Sequence, residues 1–378
     1  MKLYKRMDKK NNKKNIFFFF KIILLIIILY LIKKTVFIKI KNNEKKNNIK
    51  YKRIGVVGVL NEQNAGNNLV KFSMFTKLKE YGLDPTIISY TRKNQNIDFL
   101  RRTVKLKEIN KSFSELKEKD YDILMVNSDQ TWNNYNIESL YDHGFLRFAA
   151  NWTIPKFVYA ASLGIDYWRY SKVFDEKAKI LLKNFKGISV RERGAVDLVE
   201  KHFGIRPLFV LDPTFLIDKK KYLDIIKDLK NDFDYNQKYL FVYILDNNDI
   251  IREYINKVRE ELKYKVYKVS VKQINYTENF LFGINISEAI ITDSFHGTIF
   301  SIIFNKPFIS FINSIRGRLR FYSLIDTFDL KKRIIFPSNK YKPNINILTE
   351  PLNINENHLK KIKDLSINYL EKNLGIIK

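Results

Sequence analysis

With 378 residues, 45% of them hydrophobic, the chain is long enough for a substantial core and for two domains of ordinary size. Its formal net charge of +28 points first to nucleic acid or a membrane surface, but residues 1–53 hold 17 Lys/Arg against Asp8 and Glu44, a net of +15, and the remaining excess is spread thinly. The absence of Cys excludes disulfides, thiolate metal sites and a Cys nucleophile, and no zinc-ligand spacing or aromatic-basic motif is visible, so neither a metal, a cofactor nor a nucleic-acid partner is expected.

Residues 16–32, IFFFFKIILLIIILYLI, are apolar except for Lys21 and lie between Lys-rich flanks. Seventeen helical residues span about 25 Å, the low end of what crosses a hydrocarbon core of about 30 Å. The expectation is a basic tail over 1–51 whose segment 16–32 is a retained hydrophobic membrane helix, with Lys21 snorkelling to the headgroups. No small-residue cleavage site follows it. Basic flanks on both sides leave its orientation open to the positive-inside rule, and a cytoplasmic placement of the folded part is expected from the apolar run together with the lack of Cys.

Beyond the tail, Arg53-Ile-Gly-Val-Val-Gly-Val-Leu60 is apolar and short enough for a buried strand. A polar loop containing Asn64-Ala-Gly66-Asn67 leads into a helix with Leu69, Phe72, Phe75 and Leu78 on one face, and Thr86–Tyr90 reads as the second strand. After a basic, mostly helical stretch comes the strand Tyr121–Val126, with Asn127-Ser-Asp-Gln-Thr-Trp-Asn133 at its carboxyl end. Lys156–Gly164 and Gly187–Arg193 are further strand-and-turn units, the second with Arg191 leaving the strand end, where a guanidinium binds a carboxylate or phosphate through two parallel bonds or pairs with a neighbouring acid. Leu208–Leu216 closes this half, and Asp212-Pro-Thr214 reads as a brace at the crossover, since Pro213 stops the strand and holds Asp212 extended.

A second half starts at Lys238–Leu245, followed by a helix near 250–262, a strand at 264–269 and a helix around Phe280. Then comes ISEAIITDSFHGTIFSIIFNKPFISF: the strand Ala289–Thr292, a polar turn Asp293–Gly297, a buried helix and a strand opening at Pro307. A helix start after a strand's carboxyl end is where an anion meets free N–H groups. Asp293 or Ser294 would cap this helix, His296 would project into the crevice beside it, and Gly297 would let backbone approach a ligand. Residues 356–374, with Leu359, Ile362, Leu365 and Tyr369 on one face, make a terminal amphipathic helix ended by Gly375.

Five ordered segments, Asn64-Ala-Gly-Asn67, Ser128-Asp-Gln-Thr-Trp-Asn133, Tyr159-Ala-Ala-Ser-Leu-Gly164, Asp212-Pro-Thr214 and Thr292-Asp-Ser-Phe-His-Gly297 with its helix, resemble the polysaccharide pyruvyl transferase family across about 52–335. Asn127 stands where the family commonly has Gly. The resemblance implies an α/β fold of two Rossmann-like parallel-sheet domains facing a cleft, glycosyltransferase-B-like, over 52–217 and 236–340, with the terminal helix at 355–375. It also implies transfer of a pyruvyl group from phosphoenolpyruvate to hydroxyls of a glycan or lipid-linked sugar, giving a ketal. On that reading His296 and Asp129 are the catalytic candidates; Arg191, Ser294, Gly297 and Arg316 the donor-binding ones; and Asn64, Ser128, Gln130 and Asp293 the acceptor-binding ones, with Arg191 and His296 facing each other across the cleft. Family members often carry Arg-Leu-His where this chain has Ser294-Phe-His296, so a donor-binding Arg is missing at 294, with Lys306, Arg316, Arg318 and Arg320 as replacements. A nucleotide-sugar-dependent glycosyltransferase on the same fold, or a membrane-attached binding protein without turnover, are the alternatives.

Overall fold

A computed structural model describes residues 50–377 apart from 59–63, 91–96, 110–111, 134–136, 230–232, 235, 247, 271, 314–316 and 339–342, together with Leu24, Ile27, Ile28, Tyr30 and Lys33. The sequence-predicted membrane segment 16–32 lies almost entirely outside the described residues, among which no helix is long and apolar enough to cross a membrane. Residues 51–378 form one compact unit.

That unit holds two parallel sheets. The first takes β1 (Arg53–Val57), β2 (Asp84–Tyr90), β3 (Leu106–Ile109), β4 (Ile123–Val126), β5 (Lys156–Ala161), β6 (Phe185–Val190) and β7 (Leu208–Phe209) in the order β3-β2-β1-β4-β5-β6-β7. The second takes β8 (Tyr239–Tyr243), β9 (Lys265–Lys268), β10 (Ala289–Thr292), β11 (Phe308–Phe311) and β12 (Ile334–Ile335) in the order β12-β11-β10-β8-β9. Every residue of β4, β5, β8, β10 and β11 is buried, the pattern expected when helices cover both faces of a parallel sheet. Strand order reverses between β1 and β4 in the first sheet and between β8 and β10 in the second. Those switch points, at the strands' carboxyl ends, are where doubly wound sheets open a crevice for ligands.

Strand β3 lies in the stretch that reads as basic and mostly helical. It is the edge of its sheet, so Lys107 and Glu108 stay solvated and the strand carries no apolar run.

Helix α1 (Ala65–Glu80) follows β1 and is buried well beyond its apolar stripe, with Asn67, Asn68 and Lys71 at 1–3% exposure. Its polar flank meets the second half: Asn68 Nδ2 donates to Thr277 Oγ1 at 3.0 Å. A helix packed between two sheets needs polar partners on the side that would otherwise face water. Helix α2 (Asp98–Thr103) leads to β3, α3 (Ile137–Phe145) to β5, α4 (Lys172–Leu182) to β6 and α5 (Arg193–Phe203) to β7. In the second half α6 (Lys219–Ile226), α7 (Asp249–Leu262), α8 (Tyr276–Ile286), α9 (Phe295–Ile303) and α10 (Leu319–Phe328) alternate with the strands. The last helix, α11 (Glu356–Asn373), packs on the first sheet instead of the second: the Leu211 N–H donates to Ser366 Oγ (2.9 Å), the Tyr369 hydroxyl to the Val158 carbonyl (2.7 Å) and Lys186 Nζ to the Asn373 carbonyl (3.2 Å). Its buried stripe runs through Ile362, Ser366, Leu370 and Asn373, and Leu365, assigned to the apolar face by sequence, is 43% exposed.

Candidate functional site

The sequence-predicted site residues gather where the carboxyl ends of the two sheets meet. Arg191 leaves β6 with its side chain 1% exposed and is held by three carboxylates. Its Nη1 donates to Asp212 Oδ2 at 2.6 Å, its Nε lies 3.4 Å from Glu192 Oε1, and its Nη2 donates to Asp129 Oδ1. Asp129, from the loop after β4, also accepts from Asn67 Nδ2 at 3.2 Å, which ties the first turn of α1 to the cluster. Asp212 accepts from the Thr214 N–H and hydroxyl, at 3.0 and 2.7 Å, through its other oxygen.

His296 arrives from the second half, on the first turn of α9. Its Nε2 lies 3.8 Å from Asp212 Oδ2, the oxygen that Arg191 binds, and makes no hydrogen bond with a described residue. The imidazole is enclosed, at 2% exposure, and does not project into an open crevice. The start of α1 closes over it: a Cβ at Gly66 would fall 2.2 Å from His296 Cγ and Nδ1, so only glycine permits this approach. A second glycine does the same nearby, since a Cβ at Gly317, whose φ is +106°, would lie 2.6 Å from the Gly164 carbonyl oxygen. The expected cleft is thus closed at these two contacts.

Charge explains why such a cluster is stable. Burial pushes the Asp129 carboxyl up, but Arg191, with His296 and Arg320 behind it, pulls it further down, well below the usual carboxylate range. For Asp212 the same opposition, burial against His296 and Arg191, leaves the carboxyl lowered to about 2. Glu192 is the exception, raised by burial that Arg191 only partly offsets. Two guanidinium groups approach the Phe295 ring, Arg191 Cζ at 4.7 Å and Arg320 Cζ at 5.0 Å from its centroid.

Other predicted residues have mainly architectural contacts. Ser294 is the N-cap of α9, its Oγ accepting the Gly297 N–H at 3.3 Å, so this helix start caps itself. Gly297 allows a close approach, but to Thr292, whose Oγ1 would sit 2.3 Å from an added Cβ, and not to a ligand. Asn64 caps α1 by accepting the Asn67 N–H at 3.2 Å. Gln130 Oε1 accepts from Asn133 Nδ2 at 3.2 Å, and Ser128 is fully buried with an Oγ that has no hydrogen-bond partner. Asp293 belongs to a separate group at the second sheet: it accepts the N–H groups of Leu245 and Asp246, at 2.7 and 3.1 Å, and burial raises its carboxyl despite those bonds. Arg316 lies outside the described residues. Of its proposed substitutes, Lys306 donates to the Ser287 carbonyl (2.7 Å) and Arg318 to Asp166 (2.8 Å), whereas Arg320 faces the cluster.

Asp212 is the hub that sequence reasoning set aside as a brace. The signal available was its place in a family segment; its spacing alone says only that a turn follows. Among the described residues no group of three His, Cys, Asp or Glu is arranged to hold a metal ion.

A family model described as polysaccharide pyruvyl transferase matches residues 64–315, a span that includes Asn67, Asp129, Arg191, Glu192, Asp212 and His296 and ends short of Arg320. Among solved structures, the chain resembles UDP-GlcNAc 2-epimerase from Neisseria meningitidis bound to UDP-GlcNAc, at 9% identity and a TM-score of 0.53, over 85% of this chain and 100% of that one. It also resembles a putative UDP-N-acetylglucosamine 2-epimerase from Listeria monocytogenes, at 8% identity and a TM-score of 0.50, over 85% and 97% of the two chains. At such identities the likeness is one of fold, that of two glycosyltransferase-B-like halves. A search of curated proteins finds no match.

Proposed function

The chain belongs to the polysaccharide pyruvyl transferase family, and from that premise we propose that it transfers a pyruvyl group from phosphoenolpyruvate to two hydroxyls of one sugar in a cell-surface polysaccharide or its precursor. The observation that carries this reading is the convergence of His296, Asp212, Arg191 and Asp129 from both sheets on one network. The reaction protonates the donor's methylene carbon, adds a sugar hydroxyl to the cationic C2, expels phosphate and closes a cyclic ketal with the second hydroxyl. Its needs are a proton donor, a base for the hydroxyl and an anion-binding group.

His296, close to Asp212, is the proton donor in this scheme, and Asp129, a fixed anion paired with Arg191, orients the sugar hydroxyl, whose proton leaves with the departing phosphate. Arg191 itself is a positioning residue here: three neighbouring carboxylates make its surroundings net negative, which disfavours a trianionic donor. Arg320, also packed against the Phe295 ring, takes the donor-binding role that Ser294 leaves open. Substrate entry requires the two halves to part at the Gly66–His296 contact. Residues 16–32 hold the enzyme at a membrane with the folded unit on the cytoplasmic side, and fractionation with protease protection tests that arrangement.

Phosphate release from phosphoenolpyruvate in the presence of a glycan acceptor tests the chemistry. His296→Asn is expected to lower turnover by about 10² to 10⁴ with a cooperative unfolding transition retained, and Arg320→Lys to raise the KM for phosphoenolpyruvate. Activity that falls only in step with melting temperature in both variants overturns the assignment. A recess of about 310 Å³ at the ends of β8 and β9, lined by Asp246, Asn248, Arg252 and Lys268, favours a nucleotide-sugar donor as the second reading, as does Ser294 standing where family members often carry Arg. Turnover of UDP-sugars without phosphate release from phosphoenolpyruvate would select it.

A further inference from the structure

A groove of about 1160 Å³ runs between α11 and the amino edge of the first sheet. Lys186 lines it near the start of β6 and Leu208 at the start of β7, so it opens at the opposite end of those strands from Arg191 and Asp212. At about 3.3 Å per extended residue, Lys186 stands about 16 Å from Arg191, and an occupant of the groove leaves the cluster uncovered. The other wall is one face of α11, where Lys360, Lys361, Asp364, Leu365, Asn368 and Lys372 recur at helical spacing, turned away from the buried stripe. Leu365 is 43% exposed because it belongs to this wall and not to the core; Leu208, on the sheet side, is 40% exposed.

The groove is cationic as well as partly apolar. Four lysines line it against Asp364 alone, a net of +3. Among the described residues no carboxylate pairs with Lys360, Lys361 or Lys372, and Lys186 gives one donor to the Asn373 carbonyl at 3.2 Å. Lys360 and Lys372 stand about 18 Å apart along the helix axis, further than one phosphate reaches. Cations interleaved with exposed leucines match the boundary between phospholipid headgroups and acyl chains. Residues 1–53 carry a net of +15 and a second copy of the chain +28, so neither supplies the countercharge. Chain order points the same way. Tyr51, the first residue of the compact unit, has its ring centroid 5.3 Å from Lys186 Nζ, so the stretch bearing the apolar run 16–32 joins the unit beside this groove.

We infer that the groove between α11 and the amino edge of the first sheet is a docking face for a bilayer rich in anionic phospholipid, with the lysines on headgroup phosphates and Leu208 and Leu365 at the acyl boundary. This rests on the membrane attachment proposed above and adds an orientation to it, amino edge toward the bilayer and the cluster away from it. The chain has no Cys, so Leu365→Cys carries a polarity-sensitive fluorophore at a single place. Val173→Cys, 65% exposed at the start of α4, is the reference at the carboxyl edge. Full-length protein is mixed with vesicles of phosphatidylcholine alone, or of phosphatidylcholine and phosphatidylglycerol in equal parts.

The label at 365 is expected to enter a less polar environment on the mixed vesicles only, and to leave it at about 1 M salt, where the Debye length is about 3 Å. The label at 173 should not change. Adding Lys360→Gln, Lys361→Gln and Lys372→Gln should lower the ratio of docked to undocked protein about 10²-fold, roughly 5-fold per lysine, while the chain still sediments with the vesicles through residues 16–32. Asn368→Cys, on the same helix face, replaces the first labelled variant if that one folds poorly. An equal response to both kinds of vesicle, a response at 173 as large as at 365, or a response at 365 to duplex DNA and not to vesicles overturns the docking face. If the chain sediments at every salt concentration while the label at 365 stays silent, the anchor stands and the docking face falls. If the label responds and high salt releases the whole chain, the docking face stands and the anchor falls.

Discussion

Both sheets place a carboxylate just past a central strand, buried at Asp293 and mostly buried at Asp129, and the two are treated in opposite ways. Asp129 at the first sheet is held by a guanidinium and stays far below its ordinary range. Asp293 at the second is held by the N–H groups of Leu245 and Asp246 and by Asn313, and burial raises it. A full positive charge outweighs desolvation; peptide dipoles and an amide do not. The same residue type at equivalent topological positions is therefore a fixed anion in one half and a group nearer to proton exchange in the other.

Removing the cation should break this contrast most severely. Arg191→Met leaves Asp129, Asp212 and Glu192 buried together without a counterion, and a loss of about 3–5 kcal/mol is expected from urea unfolding. Loss of less than about 1 kcal/mol would mean that water already shares the site.

Acid should act next, and first on the first half. Burial lowers the His143 imidazole, on α3, to about 4, below its unfolded value of 6.5. The unfolded chain binds the extra proton between these values, so stability falls as pH drops from about 6.5 to 4, by up to roughly 3 kcal/mol. His143→Gln should flatten melting temperature against pH across that window. An unaltered slope would show that His143 is not the group responsible.

Gly66→Ala tests the contact that joins the halves. The new methyl overlaps the His296 ring, so α1 and α9 must separate, at about 1–3 kcal/mol. If the closed contact limits substrate entry, KM values fall even as the melting temperature drops. Asp293→Asn should be smallest, within about 1 kcal/mol at neutral pH. With the folded carboxyl raised, the wild type loses stability as pH climbs from its unfolded value through the folded one, and the Asn variant should lack that loss.

Much of this architecture is legible in the chain itself. The apolar runs at 54–57, 123–126, 239–243 and 289–292 have the length and continuity of buried parallel strands, and the polar residues after them mark the crevice edge. What sequence does not convey is long-range partnership. Asp212 looks like a turn residue until Arg191 reaches it from the end of β6 and His296 approaches it from the first turn of α9. Gly66 looks like loop flexibility until the imidazole of His296, 230 positions later, is seen against it. Edge strand β3 has no apolar signature because half of it is in water, and α11 shows an amphipathic stripe without saying which sheet it covers.

The return of α11 to the first sheet has a consequence for how the protein is made. The Leu211 N–H, the Val158 carbonyl and the side chain of Lys186 all take partners between Ser366 and Asn373. During synthesis at about 5–20 residues per second, the first half emerges with one flank of its sheet uncovered for the time the ribosome needs to add roughly 150 more residues. Chain order and folding order are thus decoupled: the half that is made first is the last to be finished, and its completion waits for the final helix.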